Sequence, residues 1–459
     1  MTRRSVVDTS PPVHREMKDK LDTSVFRKTV EVLAVKVPPA KAGIILKSPS
    51  MRGTIIDFPK MKSVLSTQDG ERLVLLRFGD EVELPDNARE FLASQARPLQ
   101  KHSIDLDYNY WTTDDILAAV LPEELLEGAP SGFATVGHIA HVNLNDEYLP
   151  YKHLIGQVIL DKNRNIRTVV NKLNSIHTQF RYFQMELLAG EPDYVVEHPE
   201  SDCRFTFDFS KVYWNSRLHT EHARLVESFT KDDVVADVFA GVGPFALPAA
   251  KKGCAVLAND LNPESYKYLK INVDKNKVSS LVRPSCEDGK DFIRSSVARV
   301  LEHPFPPPAT PISKTQQHRA KRLAREQGRP EKANDEPSGP SRQRITQYVM
   351  NLPDSAITFL GAFRGLLSST NSSVGGRNLS GVYGEEDSSM PMVHCYCFSR
   401  EAELDKAEID VRRRVEEELK GPLAKEVSLF HVRSVAPNKE MYCISFRLPR
   451  SIAFESLSS

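Results

Sequence analysis

The chain has 459 residues, 40% of them apolar, with 61 basic side chains against 61 acidic ones. That length suits two or three domains with real cores, and the balanced charge neither points to a polyanionic partner nor excludes one, because local patches bind phosphates. No apolar run approaches the roughly 18 residues of a membrane-spanning helix, and six scattered cysteines without a CxxC pair argue against a zinc ribbon or disulfide framework and suit a reducing compartment.

Residues 1–24 are polar and read as disordered. They lack the apolar stretch of a secretory signal; Arg3, Arg4, Ser5 and Thr9 hint at a mitochondrial presequence, whereas Asp8, Glu16, Asp19 and Asp22 count against one. Residues 25–105 alternate apolar runs such as VEVLAVKVP with polar segments, which predicts a small α/β module. Residues 106–204 form a second module. WTTDDILAAVLPEEL has helical spacing with Thr112 or Thr113 as a cap, and FATVGHIAHVNL, LIGQVILD and RTVVNKL read as strands.

From 205 to 450 strand and helix patterns alternate, so the region is predicted to be a parallel sheet covered by helices on both faces. VVADVFAG is a strand ending in a glycine loop, PFALPAAKKG a helix, CAVLANDL a strand and NPESYKYLKINVDKNK a helix. RITQYVMNLP, SAITFLGAFRGLL and MVHCYCFSR read as strand, helix and strand, with Cys395 and Cys397 on one strand face. A long amphipathic helix at 402–423 follows, and VSLFHVRSVAP and EMYCISFRLP close the sheet as a hairpin with an antiparallel edge strand. Two insertions, 302–344 and 368–391, lack apolar periodicity and read as loops or disorder; the basic tract from Lys314 to Lys332 is either an RNA contact or address, or a solvated variable insertion.

Three constellations carry chemistry. In the first, a strand delivers Asp237, and Gly241 and Gly243 then make a tight turn before a helix, so that backbone can approach a ligand. Pro244 and Phe245 stand where a dinucleotide fingerprint would continue, which weakens that reading. Asp260, beside Leu261 at the next strand end, is placed to accept from ribose hydroxyls, and Asp288, before Gly289, could meet an adenine amino group. Acids at three strand ends fit S-adenosylmethionine better than a dinucleotide; the alternative is that they are loop acids and helix caps. The second constellation, Asn351–Leu352–Pro353–Asp354, offers an amide and carbonyl for a base edge with proline fixing the turn. In the third, VYWNSRLHTEHARLVESF, Glu221 borders an apolar helical stripe of Leu218, His222, Leu225 and Phe229. Apolar surroundings disfavour a carboxylate's charge and suit a general base; equally, Glu221 could favour the helix dipole and pair with Arg224.

With these motifs in order, the chain resembles the archaeal and eukaryotic tRNA (guanine-37 N1)-methyltransferases, the fungal branch in particular. The matching segments are HTQFRYFQMELLAG, VYWNSRLHTEHARL, DVFAGVGPFALPAAKKG, NDLNPESYKYLKINV and MNLPDSA. The resemblance implies a Rossmann-like class I methyltransferase domain preceded by two smaller α/β modules, the first of them binding tRNA. It implies methyl transfer from S-adenosylmethionine to nitrogen-1 of guanosine 37 in cytoplasmic and mitochondrial tRNAs, the first step toward wybutosine in tRNA-Phe. Glu221 matches the general base, Arg181 an arginine holding the base and its oxygen-6, and Asn351 the residue orienting guanine beside the donor. His219, Asp260, Leu261, Asp288 and Gly289 match positions that hold the donor, alongside Asp237, Gly241 and Gly243. Tyr182, Phe183, Tyr213 and Trp214 are stacking candidates or core aromatics. The resemblance further implies a monomer acting on tRNA without metal or membrane, in cytoplasm, nucleus and mitochondrial matrix. The rival is the related wybutosine-pathway aminocarboxypropyl transferase, which tends to carry Gly–Asn where this chain has Arg217–Leu218; a non-catalytic tRNA-binding protein is a third reading.

Overall fold

The computed structural model describes residues 6–95, 98–130, 132–176, 183–308, 340–369, 371–375, 379–423 and 426–456. The chain divides into two compact units, Met1–Leu173 with Met185–Asp193, and Asn174–Gln184 with Tyr194–Ser459.

The first unit holds two sheets. Strands β1 (Arg27–Val37), β2 (Val64–Ser66), β3 (Arg72–Leu75) and β4 (Leu99–Asp107) pair antiparallel in the order β2-β3-β1-β4. The nearly continuous apolar run of β1 is explained by burial on both sides: Leu33, Val35 and Val37 enter one core, and Val32 and Ala34 another. Strands β5 (Ala134–Val136), β6 (Ile139–Val142), β7 (Thr168–Ile176) and β8 (Phe183–Gly190) form the second sheet in chain order. Phe26, Val30 and Leu106 share one core with Trp111, Ile116 and Leu154.

Two expectations change here. LIGQVILD is not a strand; it lies in a helix, Lys152–Lys162, that buries Leu154, Ile155, Val158 and Ile159. Those positions follow helical spacing, and Gly156 lets the helix lie against β8, since a Cβ there would stand 2.6 Å from that of Leu188. Residues 6–24, polar as they are, are ordered by backbone partners. The Thr9 carbonyl accepts from Trp111 Nε1 at 2.7 Å and the His14 amide donates to Ala119 at 2.8 Å, while Met17 and Leu21 touch the core.

In the second unit a hairpin, β9 (Val195–Glu200) and β10 (Cys203–Asp208), precedes a seven-stranded sheet. Its strands are β11 (Val234–Asp237), β12 (Ala255–Asn259), β13 (Val282–Ser285), β14 (Gln347–Met350), β15 (Met392–Ser399), β16 (Val427–Ala436) and β17 (Lys439–Arg447), in the order β13-β12-β11-β14-β15-β17-β16. The first five are parallel, and β17 runs antiparallel to both its neighbours. The antiparallel strand is therefore not at the edge: β17 is inserted, and β16 is outermost. Burial gives the reason, because β17 is covered over Glu440–Ile444 whereas β16 is mostly open.

On one face of this sheet Val234, Ala236, Tyr348, Met350, Cys395 and Cys397 enter a core shared with the helices Gly289–Glu302 and Leu404–Leu419. Cys395 and Cys397 do share that face. SAITFLGAFRGLL is a 3-10 helix over Ala356–Phe363 rather than an α-helix. The 368–391 segment is not a bare loop, since Val374, Leu379, Tyr383 and Met390 are buried in the same core. The 302–344 insertion closes at its neck. Phe305 and Arg342 bridge, and the Arg342 guanidinium donates to the carbonyls of Pro306, Lys231 and Gly253. The tract 309–339, with its basic residues, lies outside the described residues.

Candidate active site

The parallel strands leave β11 in two directions, outward through β12 and β13 and then back to β14. Ligands in open α/β sheets bind at the carboxyl ends where that reversal occurs. Because Val234, Ala236, Tyr348, Met350, Cys395 and Cys397 face one core, strand alternation turns Asp237, Asn351 and Tyr396 to the opposite face. Register agrees: Asp237 pairs with Val349 and Val349 with His394, so Asn351 and Tyr396 stand two positions further along adjacent strands.

The helix His219–Glu227 lies over this face. Asn215 caps the short turn before it, its Oδ1 accepting from the Arg217 amide at 3.2 Å. Glu221, 4% exposed, belongs to the buried stripe with His222, Leu225 and Val226. Its Oε1 accepts from the Tyr396 hydroxyl at 2.7 Å and from Arg224 Nη2 at 2.6 Å, and its Oε2 from Arg224 Nε at 2.6 Å. Both readings of Glu221 thus meet in one geometry, a buried carboxylate at the sheet face and an ion pair with Arg224. The Arg224 guanidinium lies 4.0 Å from the Phe430 ring centre.

Asp237 is fully buried, and neither carboxylate oxygen completes a hydrogen bond. Burial, then the Asp260 charge, push it well above the usual carboxylate range; the Phe239 amide, directed at it without the geometry of a full hydrogen bond, pulls the other way. Asn351 Oδ1 is likewise buried without a partner. The glycine turn follows. Gly243 adopts φ +103°, and a Cβ there would stand 2.1 Å from Leu247 Cδ1. The Gly241 amide donates to Asp260 Oδ2 at 2.8 Å, and the Asn262 amide to Oδ1 at 2.8 Å. Burial raises Asp260 to about 6 despite these two donors.

Leu261 is an exposed apolar side chain at the end of β12. Asp288 caps the helix Gly289–Glu302, accepting from the Lys290 amide at 2.8 Å, so the cap alternative is realised at this acid. A Cβ at Gly289 would crowd Phe239, Phe359 and Val238 at 2.9–3.1 Å. His219 is exposed, its Nδ1 3.0 Å from the Ser216 carbonyl. Trp214 is a core aromatic, stacked on Phe207 with centroids 4.8 Å apart, whereas Tyr213 is 42% exposed. Arg181 and Tyr182 lie outside the described residues, as does the side chain of Phe183.

Two residues of this arrangement escaped the sequence reading. Buried Asn259 ties three strand ends together. Its Nδ2 donates to the Val238 and Glu287 carbonyls, and its Oδ1 accepts from Ser285 Oγ and the Glu287 amide, all at 3.0–3.2 Å. An amide ending an otherwise apolar strand was its only signal. Tyr396 could have been found as the face opposite Cys395 and Cys397. Among the described residues no three His, Cys, Asp or Glu side chains gather in a metal-holding group.

Residues 196–305 match the TRM5/TYW2 methyltransferase domain, and residues 113–193 the TYW2 N-terminal domain. The chain is 56% identical to the tRNA (guanine(37)-N(1))-methyltransferase of Coprinopsis cinerea, over 99% of each chain. It is 45% identical to the enzyme of that name from Schizosaccharomyces pombe, over 95% of this chain and 94% of the other. Two solved structures share the fold: a complex of aTrm5 with tRNALeu (TM-score 0.58, 19% identity, 91% of this chain and all of that one) and Trm5b from Pyrococcus abyssi (TM-score 0.56, 22% identity, 90% and 98%).

Proposed function

The chain belongs to the tRNA (guanine(37)-N(1))-methyltransferase family, and on that premise we propose that it methylates nitrogen-1 of guanosine 37 in tRNA, with S-adenosylmethionine as donor. The observation that carries the reading is the common face on which Asp237, Asn351 and the Tyr396-held Glu221 meet, at the carboxyl edge where the sheet reverses.

The residues fit the donor. A fully buried carboxylate with no completed hydrogen bond, Asp237, is complementary to an ammonium group. Asp260 accepts from ribose hydroxyls, its orientation set by the Gly241 and Asn262 amides. Leu261 offers an exposed apolar surface to the adenine, and the missing Cβ of Gly289 lets Phe239, Phe359 and Val238 pack closely behind the helix start. His219 and Asp288, each at a helix start, are the further residues that would hold the donor. When bound, S-adenosylmethionine supplies an electrophilic methyl group on a sulfonium.

The protein's own part is acid–base work and placement. Guanine nitrogen-1 carries a proton and becomes nucleophilic only when it leaves. Glu221 takes that proton as general base. Asn351 hydrogen-bonds the base edge, with Pro353 fixing the turn behind it, and Arg181 offsets the charge that gathers on oxygen-6. Holding the two reactants in line contributes much of the rate. The guanine must leave its stack to reach this edge, and Tyr213, exposed where Trp214 is core, is the stacking candidate among the described residues that remains free to receive it.

The test is incubation of the full chain with methyl-labelled S-adenosylmethionine and unmodified tRNA transcript, followed by mass spectrometry of the nucleosides. A gain of one methyl on guanosine is expected; a larger adduct, as an aminocarboxypropyl group would give, overturns the reading. Glu221→Gln should bind tRNA and donor but lose roughly 10²–10⁴-fold in methyl-transfer rate. Undiminished transfer would remove Glu221 from the base role.

A further inference from the structure

The carboxylate of Glu221 is held by more donors than a helix-surface ion pair needs. Three N–H or O–H groups converge on its two oxygens, and they divide unequally: Oε1 takes Tyr396 and one arm of Arg224, and Oε2 takes only Arg224 Nε. We propose that Tyr396 and Arg224 form a positioning clamp that fixes the rotamer of Glu221 and leaves Oε2 as the atom that receives the guanine proton. This rests on the base role assigned to Glu221 above. In the step so described, the N1–H bond breaks, its electron pair stays on nitrogen, and the proton forms an O–H bond at Oε2.

Several features support a clamp rather than incidental packing. Tyr396 is fully buried in β15, and its ring lies 5.8 Å from Phe245, which directly follows the glycine turn. The hydroxyl therefore spans the distance between the sheet and the helix above it, its ring enclosed by the core. Burial, then Cys443 and Glu221, keep the phenol well above its ordinary range, so it remains a donor at any working pH. Arg224 is held on its other side by the Phe430 ring. Its two donating nitrogens form a planar fork on the carboxylate, which fixes orientation as well as charge.

The charged and titratable groups facing the carboxylate come from three elements. Arg224 lies on its own helix, Tyr396 comes from β15 and Cys443 from β17, while His394 of β15 lies near Arg224 and bonds Ser445 and Gln347 instead. Burial holds Cys443 up near 12 and His394 down near 3, so both are neutral around neutrality. Tyr396 and Arg224 are then the groups that donate hydrogen bonds to the carboxylate.

The experiment is single-turnover methyl transfer by the full chain on tRNA transcript across the acid limb of its pH profile. Tyr396→Phe removes one donor and keeps the ring. The expected result is about a tenfold lower plateau rate, with the acid limb moved up by about one pH unit and the KM for tRNA unchanged. If the variant does not fold, Arg224→Lys tests the same clamp, because it keeps the charge and breaks the fork; its limb should move the same way. A limb that stays in place in whichever variant folds, whatever the rate, overturns the proposal by reducing these residues to packing. Glu221→Gln separates the two failures: if it still methylates at the normal rate, the base assignment falls, and the clamp falls only as its consequence.

Discussion

Asp237 makes a demanding prediction because its effects on stability and on binding have opposite signs. The carboxylate is completely buried, has no hydrogen-bond partner of full geometry, and feels the charge of Asp260. Asp237→Asn keeps the shape and removes the charge. A buried polar group without a partner costs about 1–3 kcal/mol, and more when ionised. An amide at this place is equally unpartnered but never has to hold a proton against solution pH, so the free variant should be more stable than the wild type at neutral pH. The pH dependence follows from the raised pKa. The folded state keeps this proton where the unfolded chain has lost it, so the group's contribution is full below the unfolded value and fades as pH rises. The advantage of the variant should accordingly be small in acid and grow toward neutrality. Donor binding should move the other way, weakening by roughly 10²-fold, because an ammonium group favours the ionised form of Asp237 and an amide cannot take on that charge. Urea unfolding at two pH values and calorimetric titration with S-adenosylmethionine measure both. A variant that is less stable at neutral pH, or that binds the donor unchanged, would refute the argument.

The glycine turn separates strain from crowding. Gly243→Ala places a Cβ at φ +103° and 2.1 Å from Leu247, and should cost about 3–5 kcal/mol in urea unfolding. Gly241→Ala, at φ +55° with open space around it, should cost only about 1–2 kcal/mol; equal losses would contradict the structure. Asp260, raised to about 6, loses its stabilising contribution as pH climbs from the unfolded value through 6. The stability of the wild type relative to Asp260→Asn should then fall by about 3 kcal/mol across that window, and a flat difference would mean that the carboxyl is not buried as described. His394, pushed down to about 3, acts in the opposite sense, which is why the variant pair, and not the wild type alone, is the measurement.

How much could be seen in the chain depended on how local each signal was. The order of strands and helices around Gly241 and Gly243, and the acids at strand ends, lie within short windows whose spacing the backbone dictates. LIGQVILD was misread because a short apolar run suits either a strand or a buried helix face; the spacing of Leu154, Ile155, Val158 and Ile159 decides for the helix only once Leu188 is seen across from Gly156. The place of β17 was hidden because strand order is a long-range property, although its denser apolar run pointed inward. Asp288 looked identical as a cap and as a ligand, and only its bond to the Lys290 amide decides that it caps. Tyr396 meets Glu221 across 175 positions of sequence, a separation that no periodicity spans.

The inserted position of β17 bears on how the protein is made. Strand β15 pairs along its whole outer side with Glu440–Arg447, so that side stays unpaired until the ribosome has added those residues. Until then β16 has nothing to lie against either, and the nascent chain carries a bare strand edge of the kind that recruits chaperones or seeds aggregation. A premature stop anywhere before Lys439 would leave that edge open for good and, with it, the strand that carries the tyrosine on which Glu221 leans.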